Sequence, residues 1–151
     1  MSNESFTALA RRVAPLFDRV EAAGVSSLTA PERVLFSVWA ATGEIENGGF
    51  DQFFYNSSGD HAGEAPGAFR AIGAPGKAAV IEQALALFPG KAPPSAREER
   101  IAALDELTER EGEDLFEALD SAFYAVAESV DDLLAAYVAA HEAEIAPPPE
   151  G

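Results

Sequence analysis

Cysteine is absent from the 151 residues, which excludes disulfide bracing and thiolate zinc sites and suits a reducing cytoplasm. Positive charge is scarce: 10 Lys and Arg stand against 26 Asp and Glu, a net charge of −16. No run approaches the ~18 consecutive apolar residues that a membrane span needs. The opening "MSNESFTALARRV" has no apolar stretch after a basic one, so no secretory leader is expected. Strand-like alternation of useful length, internal repeats and long linkers are missing too. Basic residues such as Arg11, Arg12 and Arg19 are too few and scattered for a nucleic-acid track. These absences lead to the expectation of a soluble, cytoplasmic protein with no direct nucleic-acid or membrane partner.

What is present favours helices. Apolar residues make up 48% of the chain, enough for one conventional core and against global disorder. Phe6, Leu9, Val13, Leu16 and Val20 recur at helical steps, and Gly24 ends that run. Thr29 and Glu32 form a capping-box pattern with Pro31 in the first turn. The helix behind them carries Val34, Val38, Ala41 and Ile45 on one stripe and Leu35 and Trp39 beside it, as a central helix would. Gly48-Gly49 is expected to stop it, and "FDQFFYN" to resume briefly. "NSSGDHAGEAPG" reads as a loop, and "AFRAIG" as a short helix closed by Gly73. Pro75 opens the next helix. Ser95 and Glu98 suggest a second capping box, and Gly112 an interruption after Leu107. Leu115, Leu119 and Phe123 mark a further helix. Ser129 and Asp132 cap the last, with Leu134, Val138, His141 and Ile145 facing inward. The expectation is an all-α single compact domain of about seven helices over residues 1–146, with a frayed Pro-rich tail at 147–151.

The densest stretch is "EIENGGFDQFFYNSSGD". Phe50, Phe53 and Phe54 at i, i+3 and i+4 can face the core from one helical turn. Glu44, Glu46 and Asn47 end the preceding helix, and Gly48-Gly49 permit a tight reversal toward Gln52 and Asn56. Two readings stand. The amides tie off orphaned groups at a structural corner, or they form a small polar pocket with Glu44 or Glu46 as a base.

With "AIGAP", "LFPG" and "LDSAFY", this stretch resembles the acidic all-helical domain that forms the C-terminal part of a bacterial DNA-mimic protein. The resemblance spans about Pro31 to Ile145, and its specific core is Asn-Gly-Gly-Phe-x-Gln-Phe-Phe-x-Asn. By position it implies that Asn47, Gly48, Gly49, Phe50, Gln52 and Asn56 belong to the family motif, and it implies the helical fold. The DNA-mimic member looks like duplex DNA through surface carboxylates and sequesters a DNA-binding regulator. That activity lies in distributed charge, so resemblance carries fold further than function.

Charge distribution bears on this. Residues 1–104 hold 12 acids and 9 bases, whereas residues 105–151 hold 14 acids and a single base, Arg110. Glu106, Glu109, Glu113, Glu117 and Asp120 recur every three or four residues. An unbroken helix would set them ~4.5–6 Å apart along its axis, against ~3.4 Å per phosphate on one DNA strand. Asp105, Asp114, Asp131 and Asp132 would thicken the array. A basic protein surface, for instance on a DNA-binding regulator, is the expected partner; solubility is the plainer purpose of such charge. If Gly112 breaks the helix, Glu113 and Asp114 instead become first-turn acids of a new one.

The remaining signals carry little chemistry. Asp60, His61 and Glu64 are poor transition-metal ligands without a second histidine. "GAPGK" lacks the strand, loop length and following hydroxyl of a phosphate loop. Ser57 and Ser58 have no histidine partner. No catalytic residue, metal or cofactor is expected. The alternative function is a small-molecule binder or enzyme using the corner around Asn47 and Gln52.

Overall fold

The computed structural model describes residues 3–150, and among them seven α-helices account for the architecture. These are α1 (Asn3–Ala23), α2 (Ala30–Tyr55), α3 (Ala65–Ala71), α4 (Pro75–Leu85), α5 (Arg97–Glu111), α6 (Glu117–Ala125) and α7 (Val130–Ala140). Helix α2 is the axis and packs on α1, α3, α5, α6 and α7. Its buried side chains, among them Leu35, Phe36, Val38, Ile45, Phe50, Phe53 and Phe54, cover a wide arc. The double stripe anticipated this.

Helix α2 starts as its caps dictate. Thr29 Oγ1 accepts from Glu32 N–H at 3.2 Å, and Glu32 Oε1 accepts from Thr29 N–H at 2.9 Å. Gly48-Gly49 does not end the helix outright. The backbone leaves helical geometry at Gly48 (φ −148°, ψ 16°) and Gly49 (φ 75°, ψ −173°) and then resumes to Tyr55. The result is one kinked element. Beyond the kink, Phe50 and Phe54 pack against Phe116, and the Phe54 ring meets the Phe88 edge at 4.9 Å. Full burial of each such ring contributes about 1.5–3 kcal/mol.

Three other expectations change. Residues 57–64 form a 3₁₀ segment (Ser57–Glu64) rather than a loop, and α3 begins directly after it. Its compactness follows from Gly59, where a Cβ would lie 2.6 Å from the Phe53 carbonyl and 2.8 Å from Arg100 Nε. The second capping box does not form. Ala96 precedes α5 without a side-chain cap, because Pro94 and Ser95 turn their carbonyls to the Arg100 guanidinium at 3.1 and 3.0 Å. His141, expected inward, is about one-third exposed. It stacks on Tyr137, and its Nδ1 lies 3.1 Å from Glu144.

The remaining boundaries match their signals. Gly73 and Gly112 adopt positive φ at helix ends. Ser129 caps α7 by accepting from Asp132 N–H at 3.4 Å. Past α7 the chain returns along α1, where Arg12 donates to the Ile145 carbonyl and Arg11 to the Pro149 carbonyl. No described helix is long and apolar enough to cross a membrane.

Candidate functional site

The kink in α2 brings the motif's polar side chains together. Glu44 Oε2 accepts from Gln52 Nε2 and from Asn56 Nδ2, each at 2.9 Å. Gln52 Oε1 in turn accepts from Asn47 Nδ2 at 3.1 Å. One carboxylate thus spans the break, binding the last turn before it to the turns after it. The two glycines act differently. Gly49 supplies a backbone conformation open essentially to glycine alone. Gly48 leaves space for Gln52, whose Oε1 would lie 2.1 Å from a Cβ there.

The break also orphans the Phe50 N–H, which Asp120 Oδ1 of α6 accepts at 2.8 Å. The Asp120 carboxylate sits so close to Gly49 that a Cβ would meet it at 2.4 Å. Burial raises the Asp120 pKa above the ordinary aspartate value; the Phe50 N–H opposes this, and Asp51 and Glu117 add to it. Asp120 is therefore committed to the corner, unlike the exposed Asp51 and Glu117 beside it.

Beneath the corner lies a residue that motif spacing did not flag. Arg100 is completely buried. Its Nε donates to the Phe54 carbonyl at 2.6 Å and its Nη2 to the Asn56 carbonyl at 2.9 Å. Nη2 also meets Asp60 Oδ1 at 2.8 Å. With the Pro94 and Ser95 carbonyls, this planar donor fork closes the open C-terminus of α2, where helix carbonyls lack intrahelical partners. A signal existed: Arg100, Leu104 and Leu107 share one helical stripe. Lys77 is similar, lying on the stripe of Ile81 and Ala84. Its Nζ donates to the Phe123 carbonyl at 2.5 Å and sits 4.1 Å from the centre of that ring. Burial lowers its pKa, against the pull of Glu46 and Glu128.

The corner has a shallow cavity beside it, lined by Glu44, Asn56, Ser57 and Arg97. The amides that border it already donate to Glu44. Glu46 does not join this network. It lies on the far side of α2, where burial and then Asp131 raise its pKa. The triad considered as a metal loop is also dispersed. Asp60 serves Arg100, Glu64 pairs with Arg33, and His61 packs edge-on against Phe36.

The acidic array is laid out differently from an unbroken helix. Gly112 (φ 97°, ψ 163°) ends α5, so Asp105, Glu106 and Glu109 ride α5, Glu113 and Asp114 the turn, and Glu117 the start of α6. All six are exposed. On α5 they lie opposite the buried Arg100, Leu104 and Leu107. Asp131 and Asp132 occupy the first turn of α7, where the macrodipole favours them.

Most of the arginines already have carboxylate partners. Arg12, Arg19, Arg33, Arg70, Arg100 and Arg110 pair with Glu142, Glu32, Glu64, Glu82, Asp60 and Glu111 respectively. Among the described residues, Asp105, Glu106, Glu109, Glu113, Asp114 and Glu117 have no basic side chain within ion-pair distance. This leaves six uncompensated carboxylates between Asp105 and Glu117, interrupted by the Arg110–Glu111 pair, next to the corner and joined to it through Asp120.

A family model described as DMP19-like protein matches residues 26–141. No curated protein and no solved structure matches the chain. The chain belongs to the DMP19-like family, which is the DNA mimic protein family.

Proposed function

From that membership, we propose that the chain is a non-enzymatic acidic protein that binds a basic protein surface and sequesters a DNA-binding protein by presenting DNA-like charge. One observation supports the reading: the exposed carboxylates of Asp105, Glu106, Glu109, Glu113, Asp114 and Glu117 have no basic side chain at ion-pair distance among the described residues. Uncompensated charge of one sign steers and orients an oppositely charged partner. The array runs over α5, a turn and the start of α6 rather than along one straight helix. Asp131 and Asp132 extend the same sign of charge onto α7.

The corner has a supporting role in this reading. Glu44, Gln52 and Asn56 hold the kink, Asp120 ties α6 to it, and α6 thereby presents Glu117. The alternative, a small-molecule site at the corner, would need its amides for a ligand, whereas Glu44 already engages them.

The test replaces Glu106, Glu109, Glu113 and Glu117 with Gln and leaves Asp120 intact, since its carboxylate serves the fold. Wild type and variant are used as bait in host lysate at low and moderate salt, and captured DNA-binding proteins are then assayed on DNA. The expected result is capture that both salt and the neutral variant abolish, together with displacement of the captured protein from DNA by the wild-type chain. Capture that persists in molar salt, or with the variant, sinks the reading.

A further inference from the structure

A second concavity lies away from the corner, between α1, α2 and α7. It is lined by Phe6, Trp39, Thr42, Gly43, Glu46, Val130, Asp131 and Leu134, with a volume of about 260 Å³. Its wall is aromatic: the Phe6 and Trp39 rings pack at a 32° tilt with centroids 5.2 Å apart. Glu46 on α2 and Asp131 on α7 add two carboxylates. Neither meets a basic side chain at ion-pair distance among the described residues. Lys77, whose charge acts on Glu46, has its ammonium on the Phe123 carbonyl. The Thr42 hydroxyl is buried and has no hydrogen-bond partner, and such groups are uncommon in folded proteins.

Aromatic faces and two unpaired carboxylates together suit an organic cation with a planar head. Guanidinium stacks on indole and offers several donors from one plane, which an ammonium cannot do. Pockets for whole small molecules measure ~300–1,000 Å³, so this smaller cleft suits one long side chain. We infer that this cleft receives a single arginine side chain from the basic partner, its guanidinium lying against Trp39 and bonding to Glu46 and Asp131. The inference rests on the partner reading above and adds a point of specificity to it: diffuse charge attracts, and the cleft selects arginine over lysine.

Gly43 makes the cleft testable without disturbing the fold. It sits within α2, and a Cβ there meets nothing within 4 Å, so Gly43→Leu would grow into the cleft while keeping the helix. Trp39 is the sole tryptophan and reports occupancy directly. N-acetyl-arginine methylamide and N-acetyl-lysine methylamide are titrated through the millimolar range at fixed ionic strength. Trp39 emission is followed, with amide shifts of residues 42–46 by nuclear magnetic resonance. The expected result is a saturable response to the arginine probe, at least about tenfold weaker for lysine and for Glu46→Gln/Asp131→Asn. It should be absent in Gly43→Leu, which still melts cooperatively.

No saturable response, or equal responses to arginine and lysine, overturns the inference. The two readings fail separately. If the partner is captured equally by wild type and Gly43→Leu but lost with the neutral array, the cleft inference falls and the acidic surface stands. If the arginine probe binds while no basic protein is captured, the cleft stands as an arginine site and the mimicry reading falls.

Discussion

The Asn-Gly-Gly-Phe segment supports a quantitative prediction about its second glycine. Gly49 has φ 75° and ψ −173°, a region in which a side-chain-bearing residue costs about 1–3 kcal/mol. An added Cβ would also lie 2.4 Å from Asp120 Oδ2, so the carboxylate must move and release the Phe50 N–H. A hydrogen bond to a charged group contributes roughly 1.5–3 kcal/mol. Alanine's smaller unfolded-state entropy returns only about 0.4–1 kcal/mol. Gly49→Ala should therefore lose roughly 2–5 kcal/mol, a large part of the ~5–15 kcal/mol typical of a domain. Gly48→Ala has a different cause and size. Its φ of −148° is accessible to alanine, but the added Cβ would lie 2.1 Å from Gln52 Oε1 and 2.8 Å from Gln52 Cβ, so Gln52 must shift and loosen its bonds to Asn47 and Glu44, a loss of about 1–3 kcal/mol. Urea titration followed by circular dichroism, with the slope checked for constancy, measures both. A double-mutant cycle with Asp120→Ala is the sharper assay. Each single change loses the same Asp120–Phe50 bond, so the double variant should lose less than the sum by about 1.5–3 kcal/mol. Strict additivity, or a Gly48→Ala loss exceeding that of Gly49→Ala, would refute the proposed division of labour between the glycines.

Two further predictions concern buried charge. Arg100→Met should lose about 3–5 kcal/mol, since it leaves the Phe54 carbonyl and Asp60 unpartnered; Arg100→Lys, with fewer donors, should fall between it and wild type. Thermal melts should show the methionine variant lower by roughly 2–4 °C per kcal/mol, and an unchanged melting temperature would contradict the role given to that fork. Burial pushes the Glu32 pKa up, but hydrogen bonds from Arg19, Thr29 and Ala146, with the Arg19 charge, hold it below the ordinary value. A carboxylate of depressed folded pKa stabilises above its unfolded pKa, and that stabilisation is lost as pH falls through the folded value. Wild type should exceed Glu32→Gln by about 2 kcal/mol near neutrality, and the gap should shrink as pH falls below the ordinary glutamate range and close once the folded-state carboxylate is protonated; a gap independent of pH would be the contrary result.

The helices were legible because their signals are local. Thr29 and Glu32 lie one turn apart and cap as their spacing implies, and the Phe50, Phe53 and Phe54 triplet faces inward as its period requires. Misreadings fall where a distant group intervenes. Ser95 has the sequence of a cap, yet its carbonyl turns toward Arg100. Gly48-Gly49 reads as a stop, but Asp120, seventy residues away, takes the N–H that a break would orphan, and the helix continues. Asp120 belonged by spacing to the surface stripe, and only tertiary structure assigns it to the corner. The polar cluster itself could be foreseen in composition. Its organisation around the single Glu44 carboxylate could not, since that depends on the kink angle.

The cap on α4 bears on the order in which the molecule can assemble. The Gly76 and Lys77 N–H groups at its start are taken not by a neighbouring side chain but by the two oxygens of Glu128, at 2.9 and 2.8 Å. Likewise the Ala146 N–H binds Glu32 at 3.0 Å, and the Thr29 hydroxyl donates to the Glu144 carbonyl at 2.7 Å. During synthesis, then, α4 leaves the ribosome with its first turn incomplete until Glu128 follows, whereas α2 closes its own capping box and only the outer bonds of Thr29 and Glu32 wait for Glu144 and Ala146. Such long-range closures slow folding, because loop entropy is lost before the contacts form. A nascent chain stalled before Glu128 should consequently be sensitive to protease at the start of α4, and protection should arrive late and in one step rather than helix by helix.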